Sequence, residues 1–265
     1  RLTGPAVISV CGGRPSGLML RILLDSFGGT LPADVVPIFA NTGEEAEGTL
    51  NFVREMAERW SVPIRWVEFT RDAIPDVPAD LAHWREVTYC TASRNGEPFD
   101  ALIDWKKYLP NPTQRLCSEW LKVRAIHGFA ASLGFPVKVV RDPVSEKTAT
   151  VADFVNVLGI RADEQSRVAK QRAKDLVELP LVDRGIVKGD VLIFWGGQPF
   201  DLQIRPGEGN CKLCFEKGAP QLRNVARDPA NAAALQRNVD REARIGATMK
   251  KRHPFRLIQD FVHRQ

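Results

Sequence analysis

The sequence predicts an α/β protein whose open parallel sheet carries helices on both faces, followed by a cysteine-containing loop and basic helices. Three observations predict it. A strand, a Gly-rich turn and a helix succeed one another at the start, the same alternation repeats with short connections, and a CxxC pair then introduces a stretch of polar, basic helices. Parallel strands joined through helices need cover on both faces and right-handed crossovers.

The first strand is the apolar, β-branched run Ala6–Val10 (AVISV), which leads into the turn CGGRPSG. Leu18, Leu20, Ile22, Leu23, Leu24 and Phe27 then recur at helical spacing up to the Gly28-Gly29 stop. The second unit is a strand over 35–40, the turn Asn41-Thr42-Gly43 and an amphipathic helix over 49–60, and residues 64–68 form a third strand. Residues 71–116 read as irregular, punctuated by Pro75, Pro78, Pro98, Pro110 and Pro112, with a short helix over 100–107. A connection this long within a compact domain is usually functional. Further on, the pattern predicts a helix over 119–133, a buried strand over 154–158, and helices over 165–173 and 188–195. Polar helices over 221–227 and 231–248 close the chain. Residues 1–205 read as an α/β domain on which 206–265, the CxxC loop and basic helices, pack.

With 44% hydrophobic and 26% charged residues the composition is that of an ordinary globular protein. No apolar run is long enough to span a bilayer and the start has no signal-peptide layout, so a cytoplasmic location without membrane partners is expected. Five cysteines, an odd number without an export signal, point to reduced thiols or metal ligation rather than a disulfide framework. Residues 215–265 hold 11 Lys or Arg against 5 Asp or Glu, which suits either a nucleic-acid partner or a solvated basic surface.

Gly12, Gly13, Arg14, Ser16 and Gly17 stand between the first strand and its helix, where converging backbone N–H groups and the helix dipole favour a phosphate. Arg14 adds charge and Ser16 a hydroxyl, and Ser16, Arg14 and Cys11 are the candidate catalytic groups. The segment resembles the PP-loop, Ser-Gly-Gly-x-(Asp or Thr)-Ser, of the adenine-nucleotide α-hydrolase superfamily, which includes PP-loop ATP pyrophosphatases. That resemblance implies the same parallel sheet and a bound ATP with Mg. Cys11 replaces the first serine of the pattern and Pro15 its Asp or Thr. A thiol bonds more weakly than a hydroxyl and proline removes one N–H, although proline is acceptable in a helix's first turn. Phosphate binding follows more directly than ATP cleavage.

The segment FANTGEE resembles the turn after the second strand in phosphoadenylyl-sulfate (PAPS) reductases, which implies that Thr42 and Gly43 face the nucleotide. Thr42 as a helix cap with Glu45 at the third position is the equally open alternative. VLGIRADEQSR resembles the segment by which the PAPS and adenylyl-sulfate reductases grip their substrate's anionic end. By that resemblance Gly159 permits close approach, Arg161 clamps sulfate or phosphate, and Ser166 lies one turn into the next helix. The strings RNGEPF and NPTQRLC are also similar to PAPS reductase family sequences. Arg94 is a candidate anion contact there, and Phe99 and Phe200 are read as packing.

Cys211 and Cys214 form the CxxC, and Cys117 lies about ninety residues upstream in RLCSEWLKV. This set is similar to that of adenylyl-sulfate reductases, whose four thiolates hold a four-iron four-sulfur cluster. Here Ser118 occupies the fourth place and Lys122 matches the family's lysine. The resemblance implies a cluster with an open iron on Cys117, Cys211 and Cys214. A four-cysteine zinc or cluster site completed by Cys90, or no metal, stays open. No cysteine follows Cys214, so the C-terminal nucleophile of simple sulfonucleotide reductases is missing. Two functions follow as expectations. One is an enzyme that binds ATP or an adenylyl sulfonucleotide and uses the cluster for sulfonucleotide reduction or for sulfur transfer, including nucleic-acid thiolation with a sulfur-donor protein. The other is a catalytically degenerate nucleotide- or nucleic-acid-binding partner subunit.

Overall fold

A computed structural model describes residues 2, 4–141, 146–205, 207–209 and 211–264. Pro206 and Asn210, both within the stretch assigned to the CxxC loop, lie outside the described residues. The architecture is α/β. Its main sheet has six strands in the order β4-β3-β2-β1-β7-β8, formed by β1 (Ala6–Val10), β2 (Val35–Asn41), β3 (Arg65–Glu68), β4 (Arg85–Val87), β7 (Val155–Leu158) and β8 (Val177–Glu178). All neighbours are parallel except the edge pair β3–β4. β5 (Val137–Arg141) and β6 (Thr148–Ala152) form a separate antiparallel pair. Chain order runs from β1 through β2 to β3 on one side and resumes at β7 on the other. The strand order therefore reverses between β1 and β7, where open α/β sheets keep their ligands.

The two sheet faces pack differently. On one, α1 (Arg14–Ser26), α2 (Glu47–Arg59) and α8 (Lys188–Gly196) bury Leu20, Leu24, Phe52, Met56 and Trp195 against Ile8, Val10 and Phe39. On the other, α5 (Ala125–Ser132) lays Ala125, Ile126 and Phe129 on Val7, Ile38, Ala40 and Val67. Opposite apolar faces of β1 and β2 thus enter two clusters, because side chains alternate along a strand.

A third cluster ties the C-terminal region to the middle of the chain. Leu213, Phe215, Leu222, Val225, Leu235 and Phe255 pack with Phe69, Phe99, Leu102 and Leu121. The elements are α3 (Glu97–Lys106), α9 (Ala219–Ala226), α10 (Ala232–Ile245) and α11 (Phe255–His263). The expected helix over 119–133 is a composite: α4 (Leu116–Ser118), a π-helical stretch over Glu119–Arg124, then α5. Such wide turns are rare and cluster at functional sites. Residues 71–116 are mostly irregular, as the sequence predicts, but β4 lies within them, and β5, β6, β8 and α11 likewise went unpredicted. These strands are short, edge-placed or solvated, with no apolar run to announce them. α6 (Gln165–Arg172) has no buried residue, and α7 is the single turn Pro180–Asp183. No helix among the described residues is long and apolar enough to cross a membrane.

Candidate functional site

The loop after β1 has the shape an anion cradle needs. Gly12 adopts φ +71°, and a Cβ there would stand 2.4 Å from Thr49 Cγ2, so glycine is required on both counts. Gly13 caps α1, and Pro15 is tolerated as its second residue. The buried Ser16 hydroxyl donates to Gly13 O at 2.9 Å and accepts from Cys11 N at 3.2 Å, closing the loop on itself. The Cys11 thiol lies 3.2 Å from the same oxygen. Gly159, just past β7, is the nearest backbone across the switch point: a Cβ would meet Ser16 Cα at 2.7 Å and Ser16 N at 2.9 Å. The two segments singled out separately in the sequence are therefore in backbone contact.

The cations expected to serve the anion are engaged elsewhere. Arg14 donates two 2.7 Å hydrogen bonds to Asp201 and a third, at 3.0 Å, to Leu202 O. Arg161 donates to both carboxylate oxygens of Asp163 at 2.8 and 3.2 Å. Arg94, the third candidate, pairs with Glu47 and Ala92 O. Ser166 is exposed on α6. Phe99 and Phe200 are buried.

Thr42 and Gly43 follow β2. The Thr42 N–H and hydroxyl both donate to Glu45, at 2.8 to 2.9 Å. The pairing is that of a capping box, but α2 starts only at Glu47 with Ala46 as its cap, so the turn stands free of the helix. Gly43 has φ +76° and accepts from Gly96 N at 2.9 Å. The CxxC loop docks on this turn through a β-bridge between Glu45 and Cys211 and a bond from Lys212 N to Glu44 O at 2.9 Å.

That docking brings Cys117, Cys211 and Cys214 onto one cavity of about 420 Å³, with Thr42, Lys122 and Arg115 on the same wall. Cys117 comes from α4 and Lys122 from the π-helical stretch one turn later. Burial pushes the Cys211 thiol up to about 12, against the pull of Lys122. Burial also raises Cys117, assisted by Cys214. For Lys122, burial works against the charge, but Cys211, Glu45, Cys11 and Cys117 outweigh it and raise its pKa. Lys122 Nζ is 3.8 Å from Glu45 Oε1. Lys122 thus stands between the Glu45 carboxylate and the cavity thiols. Cys90 is exposed in the turn after β4 and does not line this cavity.

Among the described residues no group of three or more His, Cys, Asp or Glu converges as a metal-ion site. A single zinc needs its ligands about 2.3 Å from one point. A cluster would spread its thiolates over several irons, and the three cysteines share the lining of one cavity. Cys117, Cys211 and Cys214 are the residues that would hold it.

The site contains groups that sequence reading passes over. Arg241 of α10, only 2% exposed, donates to Asp100 at 2.8 and 3.0 Å, to Asn238 at 2.8 Å and to Gly96 O at 3.2 Å. Its Nη1 also lies 2.7 Å from Glu44 Oε1, an ion pair out of hydrogen-bond alignment. Lys217, buried, donates to Cys211 O at 2.6 Å. Arg244 reaches Asp100 at 3.3 Å. Arg241 and Lys217 of the C-terminal basic surplus are thus consumed inside the molecule, while Lys251, Arg252 and Arg256 remain exposed.

No protein-family model matches the chain. It is similar to ORF290, an uncharacterised nin region protein of Escherichia phage lambda. The two are 28% identical over 224 residues, which covers 84% of this chain and 69% of the phage protein.

Proposed function

We propose that the chain binds an adenylyl nucleotide, ATP or an adenylyl sulfonucleotide, at residues 12–16 and carries out sulfur chemistry on the thiols next to it, in the manner of the PAPS reductase and PP-loop group. The observation that carries this reading is the cavity on which Lys122 stands with Cys117, Cys211 and Cys214 and with Thr42, whose turn ends β2, the neighbour of β1. A strand-end glycine loop alone would suit many anions. A glycine loop on the strand beside a cavity bearing three cysteines and an ammonium suits a ligand with both a phosphate and a reducible or transferable sulfur. A four-iron four-sulfur cluster held by Cys117, Cys211 and Cys214 would supply electrons or an open iron for sulfur. The chain's own residues cradle phosphate with N–H groups, hold positive charge at the cavity, and enclose the cysteines beneath α9 and α10.

Anaerobic purification with iron and sulfide analysis, combined with calorimetric titration of ATP, adenylyl sulfate and phosphoadenylyl sulfate, tests the proposal. Binding of one of these nucleotides is expected. An iron-free protein that binds none of them would overturn it.

A second reading, a degenerate binding partner, draws on one observation: Arg14 and Arg161 are both already paired with carboxylates of the chain. In that case exposed Lys251, Arg252 and Arg256 would meet an anionic polymer such as nucleic acid.

A further inference from the structure

We propose that the mouth of the cysteine cavity is the docking site of a single-stranded nucleic acid, whose phosphates meet the cations at the rim while a base turns toward the thiols. The proposal rests on the nucleic-acid reading above and gives that partner a form and a place on the molecule. It does not require the phosphate loop to bind a nucleotide.

Two segments far apart in sequence bring the cations to one opening. Arg115 lines the cavity two residues before Cys117, and it is exposed. The run Lys250-Lys251-Arg252 follows Met249, which lines the same cavity, and Lys250 Nζ donates to the backbone oxygen of Lys217, another lining residue. Lys217 Nζ in turn donates to Cys211 O at 2.6 Å, so two successive lysines tie the run to the CxxC loop. Among the described residues, none of Arg115, Lys250, Lys251 and Arg252 has a carboxylate partner, whereas Arg14, Arg85, Arg94, Arg161 and Arg241 each have one. Of the two carboxylates on the cavity wall, Glu44 is taken by Arg241 and only Glu216 is exposed. The rim therefore carries a surplus of positive charge, and its complement is a polyanion.

The same cavity has an apolar part, to which Leu213, Phe215 and Met249 contribute, within a volume of about 420 Å³. An acidic peptide would match the rim alone. A strand of nucleic acid matches both, because its phosphates pair with Lys and Arg while the faces of its bases seek aromatic and apolar surface. In a duplex the bases are paired and stacked, and one reaches a recessed site only after it has been pulled out of the stack. A single strand presents its bases without that cost, and a base entering this mouth meets the wall that bears Cys117, Cys211 and Cys214.

The full-length protein, purified anaerobically, is titrated into fluorescein-labelled oligo(dT), oligo(rU) and a hairpin duplex, and anisotropy is read at two salt concentrations. Both single strands are expected to bind more tightly than the duplex, and their affinity to fall roughly fiftyfold between about 50 and 200 mM salt, the change for about four phosphate contacts. Arg115→Glu and Arg252→Glu, at exposed positions 137 residues apart, should each weaken single-strand binding about five- to tenfold and flatten the salt slope by about one contact. Arg184→Glu, an exposed charge reversal outside the cavity, should cost less than about twofold. A strand carrying 4-thiothymidine, irradiated in the complex, should crosslink to peptides within 115–122, 211–217 or 249–252. Crosslinks confined to other peptides, or equal losses for Arg184→Glu and the two rim variants, overturn the docking site and leave the nucleic-acid reading intact. Tighter binding of the duplex overturns the single-stranded form. Polyglutamate that displaces oligo(dT) as well as unlabelled oligo(dT) does, or absence of binding to all three probes at the lower salt, overturns both the proposal and the nucleic-acid reading.

Discussion

Arg14 and Asp201 lie 187 residues apart in sequence and are joined by two hydrogen bonds of 2.7 Å, so the phosphate loop is strapped to the segment that follows α8. Burial of Asp201 would raise its pKa, but the bonds from Arg14 and Leu202 N outweigh it and hold the carboxyl below its ordinary range. Both side chains are about a third exposed, which limits the pair's contribution to roughly 0–1 kcal/mol. Asp201→Asn should therefore cost little stability and release Arg14 toward a bound phosphate. Nucleotide affinity is expected to rise about three- to tenfold by calorimetry, worth up to about 1.4 kcal/mol. Unchanged affinity would mean that Arg14 has no part in the anion site.

Gly159→Ala drives a methyl group into the Ser16 backbone, and backbone cannot yield as a side-chain tip can. A loss of about 1–3 kcal/mol in urea unfolding is expected, with nucleotide affinity falling at least about tenfold. Gly189→Ala is the control, because nothing lies within 4 Å of its added Cβ and it sits in α8. It should leave binding alone and stabilise by up to about 1 kcal/mol.

Arg241→Met removes the cation shared by Glu44 and Asp100 and leaves a buried carboxylate unpaired. Breaking such a pair costs about 3–5 kcal/mol, visible as a lower denaturation midpoint. A loss below about 1 kcal/mol would show that Glu44 finds water instead.

His127 supplies a pH signature. Burial holds its pKa below the ordinary 6.5, against the stabilising contact from Nε2 to Asn156 Oδ1 at 3.0 Å. The unfolded chain therefore binds more protons than the folded one once pH drops below about 6.5. The cost is absent well above that pH, grows as pH falls below it, and stays at its full value once pH is below the folded pKa. Urea midpoints measured at about pH 7.5, 6 and 5 should decline, and His127→Gln should flatten the decline. An identical slope in the variant would assign the effect to the carboxylates.

Alkylation of the metal-free protein separates the thiols. Cys90 and Cys11, both exposed, should react with iodoacetamide well before Cys211, whose thiol is pushed up to about 12 and shielded under the Glu45 bridge. Peptide mapping over time reads the order, and early labelling of Cys211 would contradict the docked CxxC loop.

Local signals carried the elements that hold the phosphate loop. The run Ala6–Val10 is a five-residue strand, the spacing from Leu18 to Leu24 is α1, and Gly12 has the positive φ that the Gly-Gly turn suggests. The edge strands escaped because a three-residue strand such as Arg85–Val87, with two exposed residues and one half-buried, leaves no apolar pattern to read. The roles of the arginines also escaped. An Arg after a strand looks the same whether it faces a ligand or, as Arg161 does here, the carboxylate two residues on.

The sequence by itself determined that strands and helices alternate, that a glycine loop follows β1, and which cysteines stand in a CxxC, because backbone sterics and apolar periodicity act within a few residues. Only the tertiary structure decided that Gly159 presses on Ser16, that Cys117 shares a cavity with Cys211 and Cys214, and that Arg14 and Arg241 are bound by carboxylates from distant segments. Those pairings depend on which charges desolvation forces together, and partners 187 or 141 residues away carry no mark in the local sequence.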